Sequence, residues 1–265
     1  MKRPKPPTAK PSRHNYPAEL HAPVARVWTP DLFTEPDAPA SQADAVMGRE
    51  LARALLHTQG LYVYDHRAKT TLYVSAGIER LLGYPTADFT PDFHYSCIHP
   101  DDLPIVTEAT ILANEYVTER LDDPLPGLVF SIDYRIRNVQ RHWLRVLRQN
   151  FILSRDSCGA VVGLAGILTD ITAHKSTHDV RFSMNRPDFA AFVRQKQVQA
   201  LPEPLSIREQ EVLALVLEGL SSQEIANRLF ISVATVRAHR RNIRQKVGSH
   251  NVHRVLQHLD GETTG

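Results

Sequence analysis

Hydrophobic positions alternate with polar ones in the middle of the chain, which predicts a β-sheet. Residues 61–64 and 71–74 carry this alternation on either side of a polar stretch, and we expect them to form a hairpin. Longer alternating runs cover residues 128–137 and 142–153. The run 160–169 is apolar at most positions, which is typical of a central strand that is covered on both faces.

Helical spacing precedes and interrupts these strands. We predict short helices through residues 78–84 and a longer helix over residues 102–119. An amphipathic helix over residues 41–59 is expected to pack on the domain that follows it or on a second subunit. Its apolar positions are Val46, Leu51, Ala54 and Leu55.

The end of the chain has the pattern of consecutive short helices, each with its own start signal. Ser206 and Glu209 have the spacing of a capping box, in which each side chain bonds the backbone amide of the other residue. Gly219 is suited to the positive φ that ends a helix, and a second capping box, Ser221 with Glu224, comes directly after it. Because two turns of helix are marginal alone in water, we expect the second of these helices to pack against the next segment of the chain.

A third helix is predicted to start near Val233, after a turn at residues 230–232 and with Ser232 as its N-cap. Its apolar side is expected to consist of Val233, Val236, Ile243 and Val247, with the small Ala238. Its other side carries Arg237, His239, Arg240, Arg241, Arg244 and Lys246. Residues 237–246 contain five Lys or Arg residues and no acid. A short helix, a tight turn and a basic helix are typical of helix-turn-helix proteins, whose second helix enters the major groove.

The strings LSIREQEVL, EGLSSQEIA and LFISVATVRAHRRNIRQKVG resemble the four-helix DNA-binding domain of LuxR/FixJ-type (GerE-like) regulators. The resemblance implies DNA binding as a dimer, with dimer contacts from a fourth helix. It implies that Arg237, Ala238 and Arg241 face base edges. It implies that phosphates or sugars contact Thr235, His239, Arg240, Arg244 and Lys246. We assign to the same DNA-binding surface Ser221, Ser222, Gln223, Ser232 and Val236. Residues 249–253 depart from the family by lacking its arginine-bearing start to the last helix.

Residues 52–175 resemble a PAS domain, on the strings LLGYPTADF, HPDDLP, DYRIR, HWLRV and AGILTDIT. The expected fold class is therefore α+β. A mixed five-stranded antiparallel sheet with helices comes first in the chain, and the all-α four-helix DNA-binding domain follows it. The resemblance implies a sensory or dimerising role, in some members with haem, flavin or a small ligand between sheet and helices. Residues 138–141 stand where the family usually has an Asp-Gly turn.

Cofactor chemistry has little support in the sequence. Cys97 lacks the Asn-Cys-Arg-Phe context of a photoactive flavin site, and residues 102–119 contain no histidine for haem. His94 and His99 precede that helix, where capping or hydrogen bonding is the commoner role. His174 and His178 are four residues apart, which would suit a metal on a helix, but no second pair accompanies them. We therefore predict no cofactor and no metal site.

Length and composition indicate the number of domains and the cellular compartment. A chain of 265 residues favours two domains, and two cysteines favour a reduced, cytoplasmic protein. No apolar run approaches ~18 residues, and the basic N-terminus lacks an apolar core, so we expect no membrane span and no secretory signal. Residues 1–40 hold nine of the 18 prolines and are predicted to be a disordered basic tail. Trp28, Leu32 and Phe33 indicate that its later part docks on something.

The expected domains are a PAS-like unit over residues 41–175, a helical link over 176–204 and the helix-turn-helix unit over 205–260. The link contains a helix that starts near Pro187, with an apolar stripe at Phe189, Phe192 and Val193.

Two DNA-binding functions fit this order. One is a transcriptional regulator whose PAS domain senses an unknown small ligand, and the other is a regulator whose PAS domain only contacts proteins. A sigma-like promoter reader is a further alternative. An enzyme is disfavoured, because the sequence has no phosphate-binding glycine loop, nucleophile elbow or His-Glu zinc helix. The expected partners are double-stranded DNA and a second copy of the chain, with no membrane.

Overall fold

The computed structural model describes residues 20–29, 32–33, 40–123, 126–199 and 205–247. The strands are β1 (Gln59–Asp65), β2 (Thr70–Val74), β3 (Val129–Arg137), β4 (Trp143–Arg155), β5 (Val161–Asp170) and β6 (Arg181–Met184). The helices before the last strand are α1 (Ala22–Ala25), α2 (Ala40–Arg53), α3 (Ala76–Leu82), α4 (Pro91–Ser96) and α5 (Leu103–Thr118). The later helices are α6 (Phe189–Gln199), α7 (Ile207–Leu217), α8 (Ser222–Leu229) and α9 (Val233–Val247).

The strands form one sheet in the order β2-β1-β5-β4-β3-β6, and every described pairing is antiparallel. The predicted hairpin, the three long strands and the central place of β5 are confirmed. The expected count of five strands and the description of the sheet as mixed are wrong. Strand β6 adds a sixth strand at the edge, where Phe182 lies opposite Ile132. This sheet and the helices packed on it are called the sheet domain below.

The two faces of the sheet are covered by different helices. Residues of α3, α4 and α5 pack on the inner face in one core that contains Ile78, Val106 and Ile132, each fully buried. Helix α2 covers the outer face, where Gly48 lies so close to Val63 that a Cβ atom would be 2.5 Å from its Cγ2. Of the two predicted positions for this helix, packing on the domain that follows it is confirmed, although the helix ends at Arg53 rather than near residue 59.

Part of the N-terminal region belongs to this core. Trp28 is 2% exposed and its ring stacks on His66 at 4.3 Å between centroids. The backbone amide of His21 donates to Asp92 Oδ1 at 2.8 Å. The expectation that residues 1–40 form a disordered tail is therefore wrong for residues 20–29 and 32–33, and the docking indicated by Trp28 is confirmed. The other residues of the expected tail lie outside the described ranges.

The segment before the last domain also packs on the sheet domain. Phe189 and Phe192 of α6 meet the ring of Tyr116 of α5 edge-on, at 5.4 and 5.2 Å between centroids. The predicted apolar stripe of this helix is confirmed, since Phe189, Phe192 and Val193 are buried. Residues 181–184 form strand β6, so the prediction of a helical link is wrong there.

A second, separate core holds the C-terminal helices α7, α8 and α9, which are called the helical domain below. Its buried members include Val212, Ile225, Val236 and Ile243. The predicted fourth helix lies outside the described residues. Among the described residues, no helix has both the length and the hydrophobicity needed to cross a bilayer.

Candidate nucleic-acid interface

Both predicted capping boxes are formed, and they set where the first two helices of the helical domain begin. Ser206 Oγ accepts from the Glu209 amide at 3.3 Å, and the Ser206 amide donates to Glu209 Oε2 at 2.8 Å. Ser221 and Glu224 make the same two bonds at 3.3 and 2.8 Å. The positive φ predicted for Gly219 is confirmed at 82°. These local bonds hold α7 and α8 in fixed register before α9 begins.

The turn between α8 and α9 gives the pair its helix-turn-helix geometry. Phe230 takes a left-handed conformation with φ 54°, and the Ile231 amide donates back to the Ala226 carbonyl at 3.0 Å. Ser232 then caps α9, because its Oγ accepts from the Thr235 amide at 3.0 Å. The turn therefore redirects the chain within three residues, as the sequence predicts.

Helix α9 packs through the predicted apolar seam. Val236 is fully buried and Ile243 is 6% exposed. Val233 is partly buried against the same core. The assignment of Val236 to the DNA-contacting set is wrong for its side chain, which lies inside the core.

Arg237 and Arg241 lie on the outward side of this helix and are exposed. They are four residues apart, so their side chains are neighbours along one face. Neither forms an ion pair with another residue that the structure describes. Ala238 lies between them in the sequence and is half-buried. Its small side chain leaves space beside the two arginines. Two unpaired guanidinium groups beside a small residue are suited to the edges of bases in a groove.

The remaining predicted contact residues surround this face in different environments. Arg240 is half-buried and donates to the Ser222 hydroxyl at 3.1 Å, so it ties α9 to the start of α8. Gln223 is exposed and donates to Asn227 Oδ1 at 3.3 Å. Thr235 and His239 are half-buried, whereas Ser221 and Ser232 are exposed. The backbone of Arg244 lies in α9. The set therefore divides into an outward arginine pair and a rim at the start of α8 and the turn.

Lys246 links α9 to α7 through an ion pair with Glu209. Its Nζ lies 2.9 Å from Oε2 of Glu209, whose side chain is 5% exposed. This hydrogen bond, with that from the Ser206 backbone, lowers the pKa of Glu209 to about 2. The sequence contains a signal for this contact that the predictions above did not use. Glu209 of the first capping box is an acid next to an apolar stripe, and a buried carboxylate needs a cation as its partner.

We expect Lys246→Met to destabilise the helical domain by roughly 1–3 kcal/mol, because it leaves the buried Glu209 carboxylate without its cation. Hydrogen–deuterium exchange in α7 and α9 measures this effect. The matched control is Arg241→Met, which removes an exposed charge and should leave exchange unchanged. Equal exchange in the wild type and in the Lys246 variant would mean that the ion pair does not support the fold.

The residues considered for cofactors have structural partners. His94 is buried, and its Nε2 lies 2.7 Å from the Tyr134 hydroxyl, which confirms the hydrogen-bonded role. Burial raises the pKa of the Cys97 thiol, so this group is not an activated thiolate. His174 and His178 lie outside any helix, so the helical metal clamp does not form. Within the described ranges, no three His, Cys, Asp or Glu side chains are grouped to hold a metal ion.

Comparison with known protein families agrees with both domains. Residues 203–259 match the model of bacterial regulatory proteins of the luxR family, and residues 71–168 match a PAS fold model.

Solved structures similar to this chain include PAS domains and a LuxR-type receptor. The Vibrio cholerae VqmA–ligand–DNA complex is 18% identical over 80% of this chain and 84% of that one, with a TM-score of 0.28. The N-terminal domain of a diguanylate cyclase with a PAS/PAC sensor from Marinobacter aquaeolei is 22% identical over 43% of this chain and 96% of that one, with a TM-score of 0.35.

Proposed function

Because the chain joins a PAS domain to a DNA-binding domain of the luxR type, we propose that it is a transcriptional regulator that binds specific double-stranded DNA sites as a homodimer. Helix α9 enters the major groove, and its partner copy enters the next major groove about 34 Å away on a near-palindromic site. The PAS domain changes the dimer geometry in response to a signal. Catalysis has no part in this proposal.

The exposed pair Arg237 and Arg241 is the observation that supports this function best. The two guanidinium groups lie one turn apart on a helix without acids, and no described residue neutralises them. A guanidinium can donate two hydrogen bonds to O6 and N7 of guanine, which gives base preference. The half-buried Arg240 is already bonded to Ser222 and is better placed for a phosphate beside the start of α8.

We expect Arg237→Ala or Arg241→Ala to weaken binding to the best DNA site by ~1–3 kcal/mol and to relax preference at one base position. The site is first selected from random duplex DNA with the purified full chain, which also reports the spacing of half-sites. Fluorescence anisotropy on the selected site and on single-base variants then measures affinity and preference.

Arg53→Ala is the matched control, because Arg53 is an exposed arginine on α2 and its removal changes the net charge equally. It should bind all these duplexes like the wild type. Unchanged binding by Arg241→Ala would contradict the assignment of α9 to the groove. Binding without any dependence on salt concentration would contradict DNA binding through these arginines altogether.

A further inference from the structure

An arginine without an acidic partner lies in the core of the sheet domain. Arg148 is 2% exposed and projects from β4 on the same face as Val146 and Asn150, towards α5. None of the carboxylates in the described part of the chain forms an ion pair with it. This contrasts with Arg145 of the same strand, which is buried on the other face beside Asp133. A buried charge without a counter-ion is costly, so its presence calls for an explanation.

Among the residues that the structure describes, Arg148 contacts neutral groups. One terminal nitrogen donates to Thr110 Oγ1 at 2.6 Å, and the guanidinium carbon lies 5.6 Å from the centre of the Tyr134 ring. Its Nε finds no acceptor among the residues that the structure describes. The hydroxyl of Tyr95 and the amide nitrogen of Asn114 are also buried, and they too find no acceptor there. Three donors that share one cavity therefore lack acceptors, and each such group costs about 1–3 kcal/mol in a folded protein.

These donors line a cavity of about 50 Å³ between the sheet and α5. A water molecule needs about 10–15 Å³ measured in this way, so the cavity has room for a compact molecule of a few heavy atoms. An open groove beside it shares five of its lining residues, His21, Tyr64, Thr71, Phe89 and Pro91. The cavity and the groove are therefore neighbours in the sheet domain.

The charge of the cavity is positive. Burial opposes the charge of Arg148, but the oxygens of Tyr95, Tyr134 and Tyr62 raise the pKa of the guanidinium overall, so it stays protonated. Burial raises the pKa of Tyr62 and Tyr134, which keeps these phenols neutral. Burial and the charge of Arg148 hold the pKa of His94 well below its usual range, so this imidazole is neutral too.

We propose that this cavity binds a small monocarboxylate, whose two oxygens pair with Arg148 and accept from Asn114 and Tyr95. A planar carboxylate matches the fork of a guanidinium and brings the missing charge without a donor of its own. A neutral amide of the same shape brings one acceptor and two more donors, so it satisfies the cavity poorly. The inference goes beyond the proposed function, because carboxylate binding by the sheet domain does not require DNA.

The test is thermal unfolding of the full chain at pH 7, followed by tryptophan fluorescence. Both tryptophans, Trp28 and Trp143, lie in the sheet domain, so the signal reports that domain. Acetate and pyruvate are compared with acetamide and pyruvamide, at an ionic strength held equal with sodium chloride. We expect at least one carboxylate to raise the unfolding midpoint with saturation, and its amide to have no effect.

Variants assign the effect to the cavity. Arg148→Met removes an uncompensated buried charge, so it should keep or raise the midpoint without ligand, and carboxylate affinity should fall by at least ~10-fold. Tyr95→Phe removes a hydroxyl that finds no acceptor among the described residues, so it should fold normally and bind about 3- to 10-fold more weakly. Tyr84→Phe, whose ring lies outside the cavity lining, is the matched control and should bind like the wild type.

The proposal is overturned if acetate and pyruvate leave the wild-type midpoint unchanged, or if amides raise it equally. It is also overturned if Tyr95→Phe binds the carboxylate as tightly as the wild type. This second variant keeps the test valid if Arg148→Met fails to fold. A carboxylate effect in a protein that binds no duplex DNA would instead contradict the proposed function and leave this inference intact.

Discussion

Asp102→Ala is expected to destabilise the sheet domain by roughly 3–5 kcal/mol, because it leaves a cluster of largely buried arginines short of one carboxylate. Asp102 is 2% exposed, and its two oxygens accept from the side chain of Arg135 at 2.6 and 3.1 Å. Oδ2 also accepts from the Arg135 backbone amide at 2.8 Å and lies 3.7 Å from Arg145. The substitution therefore removes charge pairing and a link between the start of α5 and β3 together. Urea unfolding followed by tryptophan fluorescence measures the loss.

The neighbouring residue provides a matched control. Asp101 also lies near Arg135, at 3.6 Å, but its side chain is 69% exposed. Water screens that pair, so Asp101→Ala should change the free energy of unfolding by less than about 1 kcal/mol. Similar losses in the two variants would show that burial does not govern this network.

Signals that act over a few residues made much of the fold predictable. The two capping boxes, Gly219 and the cap at Ser232 each specify a bond or a dihedral angle from local sequence alone. The alternation in residues 128–137 also defines a strand, because its apolar members reach one core face. The arginine face of α9 could be predicted for the same reason, since helical spacing separates Arg237 and Arg241 from the buried seam.

Features that depend on distant partners were less accessible. Strand β6 has only four residues, and pairing with β3 rather than local preference defines it. Lys246 belongs to a basic run, and nothing local shows that it meets Glu209, 37 residues earlier. Arg148 carried a readable signal, because period-two spacing from Val146 places it on the core face of β4. Its position on the core face suggests a ligand only once the structure shows that no described acid lies beside the Arg148 side chain.

Lowering the pH from 7 to 5 is expected to destabilise the sheet domain by roughly 3–4 kcal/mol, about 2 kcal/mol for each of the buried His21 and His66, with His94 acting in the same direction. Burial lowers the pKa of His21 to about 4, with Asp92 raising it and Arg148 lowering it further. Burial and the charge of His21 lower the pKa of His66 to about 3. Burial is also the main cause that lowers the pKa of His94, and the charge of Arg148 adds to it. Urea unfolding at pH 7, 6 and 5 measures the change.

The sign depends on which state takes up protons. In the unfolded chain these histidines titrate near pH 6.5, whereas in the folded domain they stay neutral to a lower pH. The unfolded state therefore binds more protons below pH 6.5, and stability is lost as the pH falls towards the folded values. Burial raises the pKa of Asp44 and Glu108, which opposes this loss, chiefly near and below the acidic end of the range.

Glutamine variants separate the buried histidines from the rest of the chain. His66→Gln replaces the imidazole with a group that does not titrate, so it should flatten the pH dependence by about 2 kcal/mol between pH 7 and 5. His57→Gln, at an exposed loop position, should keep the wild-type slope. A wild-type slope in the His66 variant would mean that this histidine is protonated within the folded domain. Its stacking on Trp28 would then tolerate a charge, and the N-terminal segment would not depend on a neutral ring for its docking.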